Sequence, residues 1–97
     1  MDVLNAIAKV RFNSARPQRV QLLKCDDFVC ELLCLEPGQE QTATGRCAYY
    51  LIAGSGQIKA GEDVQAADLG HFVSCAKGER HSIVNSSEQR LICLAVS

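Results

Sequence analysis

The sequence has no long apolar run and no concentration of positive charge. No segment approaches the roughly 20 consecutive apolar residues that a membrane-spanning helix needs, so a span of that kind is excluded. Ten Lys and Arg are scattered among eleven Asp and Glu, which gives a formal net charge of −1. Because no basic stripe can neutralise phosphates, nucleic-acid binding is not expected.

The first ten residues lack the basic start and the apolar core of a secretory signal, and Asp2 places an acidic group at their beginning. We therefore expect a cytoplasmic protein with no membrane partner. The six cysteines form no Cys-x-x-Cys pair, and four of them lie inside apolar runs. In such runs a free thiol behaves as a small hydrophobic side chain. We predict reduced cysteines in the core rather than a disulfide framework.

The chain is short and apolar, with 97 residues of which 47% are hydrophobic and 22% charged. No internal repeat or linker divides it, so we expect one domain, a barrel over residues 18–97. Residues 1–17 are predicted to form an N-terminal arm or a short helix or strand. A domain of this size hides its apolar surface incompletely, which favours a partner chain, and we expect a homodimer.

The remainder of the chain has the pattern of short strands separated by Gly, Pro and Asp turns. Strands are predicted at 18–25, 28–35, 47–53, 57–60, 64–67, 71–75, 81–85 and 90–96. Their regular spacing, with no convincing helix between them, predicts a closed all-β barrel or a double-sheet jelly roll. On the second strand, an entirely apolar face is predicted to be core: Phe28, Cys30, Leu32 and Cys34.

One stretch carries a more specific pattern, GHFVSCAKGERHSIVN from Gly70 to Asn85. Gly70, Gly78, His81 and Asn85 match the pattern G-x5-P-x-G-x2-H-x3-N, and Ala76 replaces the proline. The stretch resembles the second motif of the cupin superfamily. The resemblance implies an all-β double-stranded β-helix, or jelly-roll barrel, in which His81 points into the interior.

The first cupin motif, G-x5-H-x-H-x3–4-E-x6-G, is matched only at its ends. The sequence EPGQEQ from Glu36 resembles its opening, and YYLIAGSG from Tyr49 resembles its close. Counting back from Gly54 places Cys47 at the glutamate position. The two histidine positions then fall on Glu40 and Thr42, or on Gln41 and Ala43, and counting forward from Gly38 gives Thr44 and Arg46. Both histidines are missing in every register.

The resemblance has direct consequences for a metal. Metal-binding cupins use three His and one Glu, a set that suits iron, manganese, nickel or zinc. Only His81 remains of such a set, and one imidazole does not hold a divalent ion tightly. We therefore expect no metal and no cofactor. The alternative is a divalent transition metal held by His81 with help from Glu40 and Cys47.

The candidate ligand-binding residues in the barrel are His81, Cys47, Tyr49 and Glu40, and no catalytic residue is assigned. His81 is open to three interpretations: a buried, hydrogen-bonded residue, a ligand contact at the barrel mouth, or a metal ligand. Tyr49 shares a strand face with Cys47, so it should point inward as core or as a ligand contact.

We expect a small cupin-like barrel that lacks the usual metal site. It would bind a small molecule in the barrel, or act as a structural or regulatory dimer. Cupins commonly dimerise through one sheet with the N-terminal segment reaching over the neighbour, and Val3, Leu4, Ile7 and Val10 are placed for that role. The alternative is a metal-dependent enzyme of the dioxygenase, isomerase or epimerase type with an atypical site around His81. The sequence favours a binding or structural role over an enzyme.

Overall fold

The computed structural model describes residues 1–97 and consists almost entirely of strands. Nine strands follow a single turn of 3-10 helix at Ile7–Lys9. No helix in it is long and apolar enough to cross a membrane. The strands are β1 (Gln18–Lys24), β2 (Val29–Leu35), β3 (Glu40–Thr44), β4 (Cys47–Ala53), β5 (Ser55–Ala60), β6 (Asp63–Asp68), β7 (Phe72–Cys75), β8 (Arg80–Val84) and β9 (Leu91–Val96).

The strands form two antiparallel sheets that pack face to face. The five-stranded sheet has the order β1-β2-β9-β4-β7, and the four-stranded sheet has the order β3-β8-β5-β6. The C-terminal strand β9 pairs with both β2 and β4, so it lies at the centre of the larger sheet. The predicted all-β class, a barrel of two packed antiparallel sheets, is confirmed.

The core lies between the sheets and follows the two-residue period of strands with one covered face. In β4 and β9 every second residue is buried, and these residues meet buried residues of the four-stranded sheet. One cluster of twelve buried residues results. It contains Leu33, Leu35, Cys47, Tyr49, Leu51, Ile58, Ala67, Cys75, Ile83, Leu91, Cys93 and Ala95.

The prediction that Phe28, Cys30, Leu32 and Cys34 form a core face of β2 is confirmed for the burial of Leu32 and Cys34 and not for Phe28. Leu33 and Leu35 belong to the cluster between the sheets, whereas Leu32 and Cys34 lie on the opposite side of the strand. Leu32 and Cys34 are nevertheless fully buried, and Phe28 is 40% exposed. Because both faces of β2 are covered at this end, apolar residues occupy both alternating sets, and the sequence pattern cannot distinguish inside from outside.

The N-terminal segment covers part of the outer face of β2. Burial raises the pKa of the Cys34 thiol, and the nearby backbone of Arg11 opposes that shift. The Gln39 side-chain amide donates to the carbonyl oxygen of Asn13 at 2.7 Å. Residues 11–13 therefore pack on their own chain, while Ile7 remains 56% exposed.

The sequence pattern does not predict β3. Its residues, EQTAT, include no large apolar side chain, and the strand lies at an edge of the four-stranded sheet. It pairs only with β8, from Glu40 opposite Val84 to Thr44 opposite Arg80. Backbone pairing rather than side-chain burial defines this strand, so hydrophobic alternation gives no signal for it.

At the junction of β4 and β5, two glycines lie so close to other backbone atoms that a Cβ atom would not fit. Gly54 has φ +80°, in the left-handed region that glycine adopts at little cost. A Cβ on Gly54 would overlap the carbonyl oxygen of Arg90, and one on Gly56 would overlap that of Val84. The chain can therefore pass from one sheet to the other close to β8 and the start of β9.

Candidate functional site

The matched residues of the second motif hold the end of the barrel together. Gly70 and Gly78 have φ +87° and +81° in turns on either side of β7. Asn85 is fully buried, and its amide donates to the carbonyl oxygens of Leu35 at 3.0 Å and Gln89 at 2.7 Å. It thereby joins the end of β2 to the loop before β9. Asn85 is a structural residue here.

His81 is 2% exposed and points into the barrel from β8. Its Nδ1 lies 3.2 Å from the carbonyl oxygen of Glu79, and its Nε2 lies 2.7 Å from the hydroxyl oxygen of Tyr49. A carbonyl oxygen only accepts, so Nδ1 carries the proton and donates to Glu79. Nε2 then accepts from the Tyr49 hydroxyl. The pair links β8 of one sheet to β4 of the other, with the two rings edge to face at 5.5 Å.

Thiols surround the Tyr49 hydroxyl. Burial raises the pKa of Tyr49, the neighbouring Cys47 and Cys75 raise it further, and the Arg19 guanidinium opposes them weakly. Burial also raises the pKa of Cys75, and the Glu79 carboxylate adds to that shift. At neutral pH Tyr49 is therefore protonated, as its hydrogen bond to the imidazole requires.

The structure brings His81, Tyr49 and Cys47 to one region but not Glu40. Cross-strand partners of an antiparallel pair share one face, so Ala43 opposite His81 and Gln41 opposite Ile83 point inward. Glu40 lies opposite Val84 on the outer face and is exposed. In this position its side chain does not line the barrel with the other three candidates. Of the registers considered for the first motif, the one on Gln41 and Ala43 points inward.

The inward-facing residues do not fit the three-histidine, one-glutamate set of a metal-binding cupin. Gln41, Ala43 and Cys47 occupy the inward positions of the first motif. The Nε2 lone pair of His81 is already engaged by the Tyr49 hydroxyl. No three His, Cys, Asp or Glu side chains are gathered in an arrangement that could hold a metal ion. No chemical step is therefore derived through a metal.

The barrel opens between its edge strands β6 and β7. Gln65 and Asp63 of β6 lie opposite Ile58 and Ala60 of β5, so their side chains are on the inward face of the strand. Both are nevertheless exposed. Two adjoining cavities of about 360 and about 160 Å³ lie there. They share the lining residues Ile58, Gln65, Val73 and Ser74. We call these cavities together the β6–β7 cleft.

The cleft has an outer and an inner part. Its outer part includes His71, whose Nδ1 accepts from the backbone N–H of Asp68 at 2.8 Å. Its inner part includes Asp63, Cys75 and Glu79. Sequence reasoning does not single out Gln65, Val73 or Cys75 as site residues. Strand alternation places Cys75 on an inward face, but its neighbours across the cleft depend on sheet register.

No protein-family model and no curated protein matches the chain. Solved structures do. The protein TT1209 from Thermus thermophilus superposes with a TM-score of 0.93 at 21% identity, over 99% of this chain and 95% of that one. An RmlC-like cupin protein from Desulfovibrio desulfuricans gives 0.81 at 18% identity, over 98% and 95%. A predicted oxalate decarboxylase from Thermotoga maritima gives 0.81 at 20% identity, over 98% and 96%.

These similarities and the sheet order show that the chain has the cupin fold, a double-stranded β-helix. The expectation from the second motif is confirmed for the fold. Because the identities to these three structures are at or below 21%, the similarity shows a shared fold and does not assign their activities to this chain.

The Tyr49–His81 hydrogen bond should contribute to stability. Tyr49→Phe leaves the buried Nε2 without a donor, so the free energy of unfolding should fall by about 1–3 kcal/mol in urea titrations. Thr42→Val is the matched control, because it removes a hydroxyl that bonds Ser82 at 2.8 Å on the half-buried outer face. It should cost less than about 1 kcal/mol. Equal losses in the two variants would contradict this role of Tyr49.

The buried thiols should make the protein sensitive to alkali. Burial raises the pKa of Cys93 from 9.0 to about 12, and the nearby Cys34 adds to the shift. The unfolded chain releases this proton near pH 9 and the folded chain does not, so the stabilisation is complete below pH 9 and is lost above it. Cys93 alone should lower the free energy of unfolding by about 1.4 kcal/mol between pH 7 and pH 10.

Urea titrations with reductant at both pH values measure this difference. Cys93→Ala should reduce the loss by about the predicted amount, whatever its effect on stability at pH 7. Cys25→Ala, at an exposed position, should leave the loss as in wild type. An unchanged pH dependence in Cys93→Ala would refute the assignment.

Proposed function

We propose that this protein is a binding protein with the cupin fold that takes a small molecule in the β6–β7 cleft without using a metal. The opening of the barrel at Asp63 and Gln65 carries the proposal, because inward-facing residues of a closed small barrel are normally covered by their neighbours. The combined cleft has the dimensions of small-molecule sites, which begin at about 300 Å³. We place the protein in the cytoplasm, in keeping with its six free thiols.

The lining of the cleft favours an amphiphilic ligand with a donor group. Ile58 and Val73 offer apolar contacts, whereas Asp63 and Glu79 supply carboxylates at the inner end. The Gln65 amide donates to the Asp63 carboxylate at 3.1 Å and so holds it in place. A small molecule with an apolar body and an amine or hydroxyl group fits this distribution.

Three probes of one shape and different charge test this proposal. In NMR titrations, benzylamine should bind more tightly than benzyl alcohol, and benzoate should bind least, because the cleft presents carboxylates. The shifted amide signals should be those of the cleft residues. Asp63→Asn should weaken benzylamine binding roughly threefold to tenfold. Asp68→Asn, on the same strand but outside the cleft lining, is the matched control. Shifts elsewhere, or no preference among the probes, would contradict the proposal.

The same protein distinguishes this proposal from the metal-dependent enzyme. After incubation with Fe²⁺, Ni²⁺ or Zn²⁺ and desalting, we expect far less than one equivalent of metal by elemental analysis. About one equivalent, lost in His81→Ala, would instead support an atypical metal site and reopen the dioxygenase, isomerase or epimerase alternative. A tightly bound ion would also raise the melting temperature by mass action.

A second role, as a structural or regulatory homodimer, is favoured by the outer face of the five-stranded sheet. Tyr50 lies opposite both Phe72 and Leu94, and Ala48 lies opposite Val96. Tyr50 is 46% and Phe72 68% exposed, so an apolar patch without charged side chains continues across three strands.

The partner we propose for this patch is a second copy of the chain. The N-terminal segment exposes apolar side chains of its own, with Val3 87%, Leu4 46% and Ile7 56% exposed. Each chain therefore carries both an apolar N-terminal segment and an apolar sheet face. In a two-fold dimer, the segment of each copy would cover the face of the other. A stable interface would bury roughly 1,200–2,000 Å² in total.

Sedimentation at tens of micromolar tests the dimer. Wild type should sediment as a dimer, and Phe72→Asp should shift it towards monomer by at least about tenfold in Kd, because a carboxylate would be buried in the interface. Val64→Asp is the matched control, since Val64 is 50% exposed on the other sheet, and it should remain dimeric. Monomeric wild type, or equal effects of the two substitutions, would refute this interface.

A further inference from the structure

Two buried cysteines lie directly opposite each other on neighbouring strands. Cys47 on β4 and Cys75 on β7 are cross-strand partners, and both point into the barrel. Both are free thiols, with only 6% and 5% of their surface exposed. No other cysteine has a cysteine opposite it in either sheet.

The backbone separation of such a pair suits a disulfide. Directly opposed residues of antiparallel strands have Cα atoms about 4.5–5.5 Å apart, and disulfides accept about 4.4–6.8 Å. The two thiols are close enough that the charge of one raises the pKa of the other, as it does at Cys75. A disulfide therefore needs side-chain rotation and little movement of the strands.

Small reagents can reach the pair from the surface. A cavity of about 480 Å³ is lined by both Cys47 and Cys75, together with Phe28 and with Ala48 and Val96 of the outer face, so this access is open in the monomer and a dimer through that face would cover it. Cys75 also lines the inner part of the β6–β7 cleft, so this thiol borders two cavities. The thiols are thus buried by the strands around them but lie close beneath the surface.

We propose that Cys47 and Cys75 form a reversible redox site that closes to an intramolecular disulfide when a hydroperoxide oxidises the protein. One thiolate sulfur attacks an oxygen of hydrogen peroxide, the O–O bond breaks, a sulfenic acid forms, and the other oxygen takes up a proton and leaves as water. The second thiolate attacks the sulfenic sulfur, the S–O bond breaks as the S–S bond forms, and the released hydroxide takes up a proton and leaves as a second water. Two thiols thereby lose two electrons and two protons, and one hydrogen peroxide becomes two waters. A dithiol reductant restores both thiols by exchange.

Disulfide formation would fix an edge strand that is otherwise weakly held. β7 has four residues and pairs only with β4. The bond would close the chain between residues 47 and 75 into a loop and reduce the entropy of the unfolded state. Because burial and the Glu79 carboxylate raise the pKa of Cys75, closure should be slow at pH 7 and faster at pH 8.5.

Peptide mapping identifies the bond without any variant. Trypsin cleaves after Arg46, Lys59 and Lys77, so Cys47 and Cys75 fall on separate peptides, 47–59 and 60–77, with no other cysteine on either. After treatment with hydrogen peroxide at pH 8.5 and alkylation of remaining thiols, we expect these two peptides to be linked. The link should disappear with dithiothreitol. The melting temperature should rise by at least about 5 °C on oxidation and return on reduction.

Two variants separate this site from general oxidation. Cys75→Ser should abolish the link and the rise in melting temperature, whereas Cys25→Ser, at an exposed position, should leave both unchanged. If Cys75→Ser does not fold, the wild-type peptide map still decides the question. Oxidised protein without linked peptides 47–59 and 60–77, or with either peptide linked equally to others, would overturn the proposal. So would a linked protein that melts no higher than the reduced one.

Discussion

A buried imidazole must have a partner for each ring nitrogen, and the centre of this barrel is arranged around that requirement. Glu79 accepts from Nδ1 of His81 through its backbone, and Tyr49 donates to Nε2 from the opposite sheet. In a cupin with a metal, that second nitrogen would be available to the ion. Here a hydroxyl occupies it, and small or neutral side chains at Gln41 and Ala43 leave the remaining inward positions without an imidazole. A hydrogen bond between the sheets thus occupies the centre of the barrel, and leucines, isoleucines and thiols pack around it.

Residues of the second motif have a structural role apart from any metal. Asn85 is fully buried, and each polar atom of its side chain is hydrogen-bonded, its oxygen to the backbone N–H and hydroxyl of Ser87. Its backbone N–H and carbonyl also bond Gln39 and Gly38, which lead into β3. The side-chain amide therefore connects the end of β2 to the loop before β9, and an apolar replacement would leave the carbonyl oxygens of Leu35 and Gln89 without this donor.

The short strand β7 connects the three surface features of the molecule. Its outward Phe72 contributes to the apolar face, Val73 lines the β6–β7 cleft, and Cys75 faces Cys47. As an edge strand held by one neighbour, β7 is able to move more readily than the central strands. Ligand binding, dimer formation and oxidation would each restrict the same four residues, but through different side chains. Substitutions at these positions can therefore separate the three effects.

The sequence by itself determined the all-β class, most of the strands and the inward direction of His81. The signals for these features are turn residues and the spacing of the second motif, which can be recognised within short stretches of chain. Tertiary structure alone decided which face of β2 is interior, since Arg11 and its neighbours cover the outer face and apolar residues occupy both. It also decided that β3 exists, that Glu40 points outward and that Cys47 meets Cys75. Each of these depends on the register between strands that are distant in sequence. A shift of one residue in that register would reverse every face.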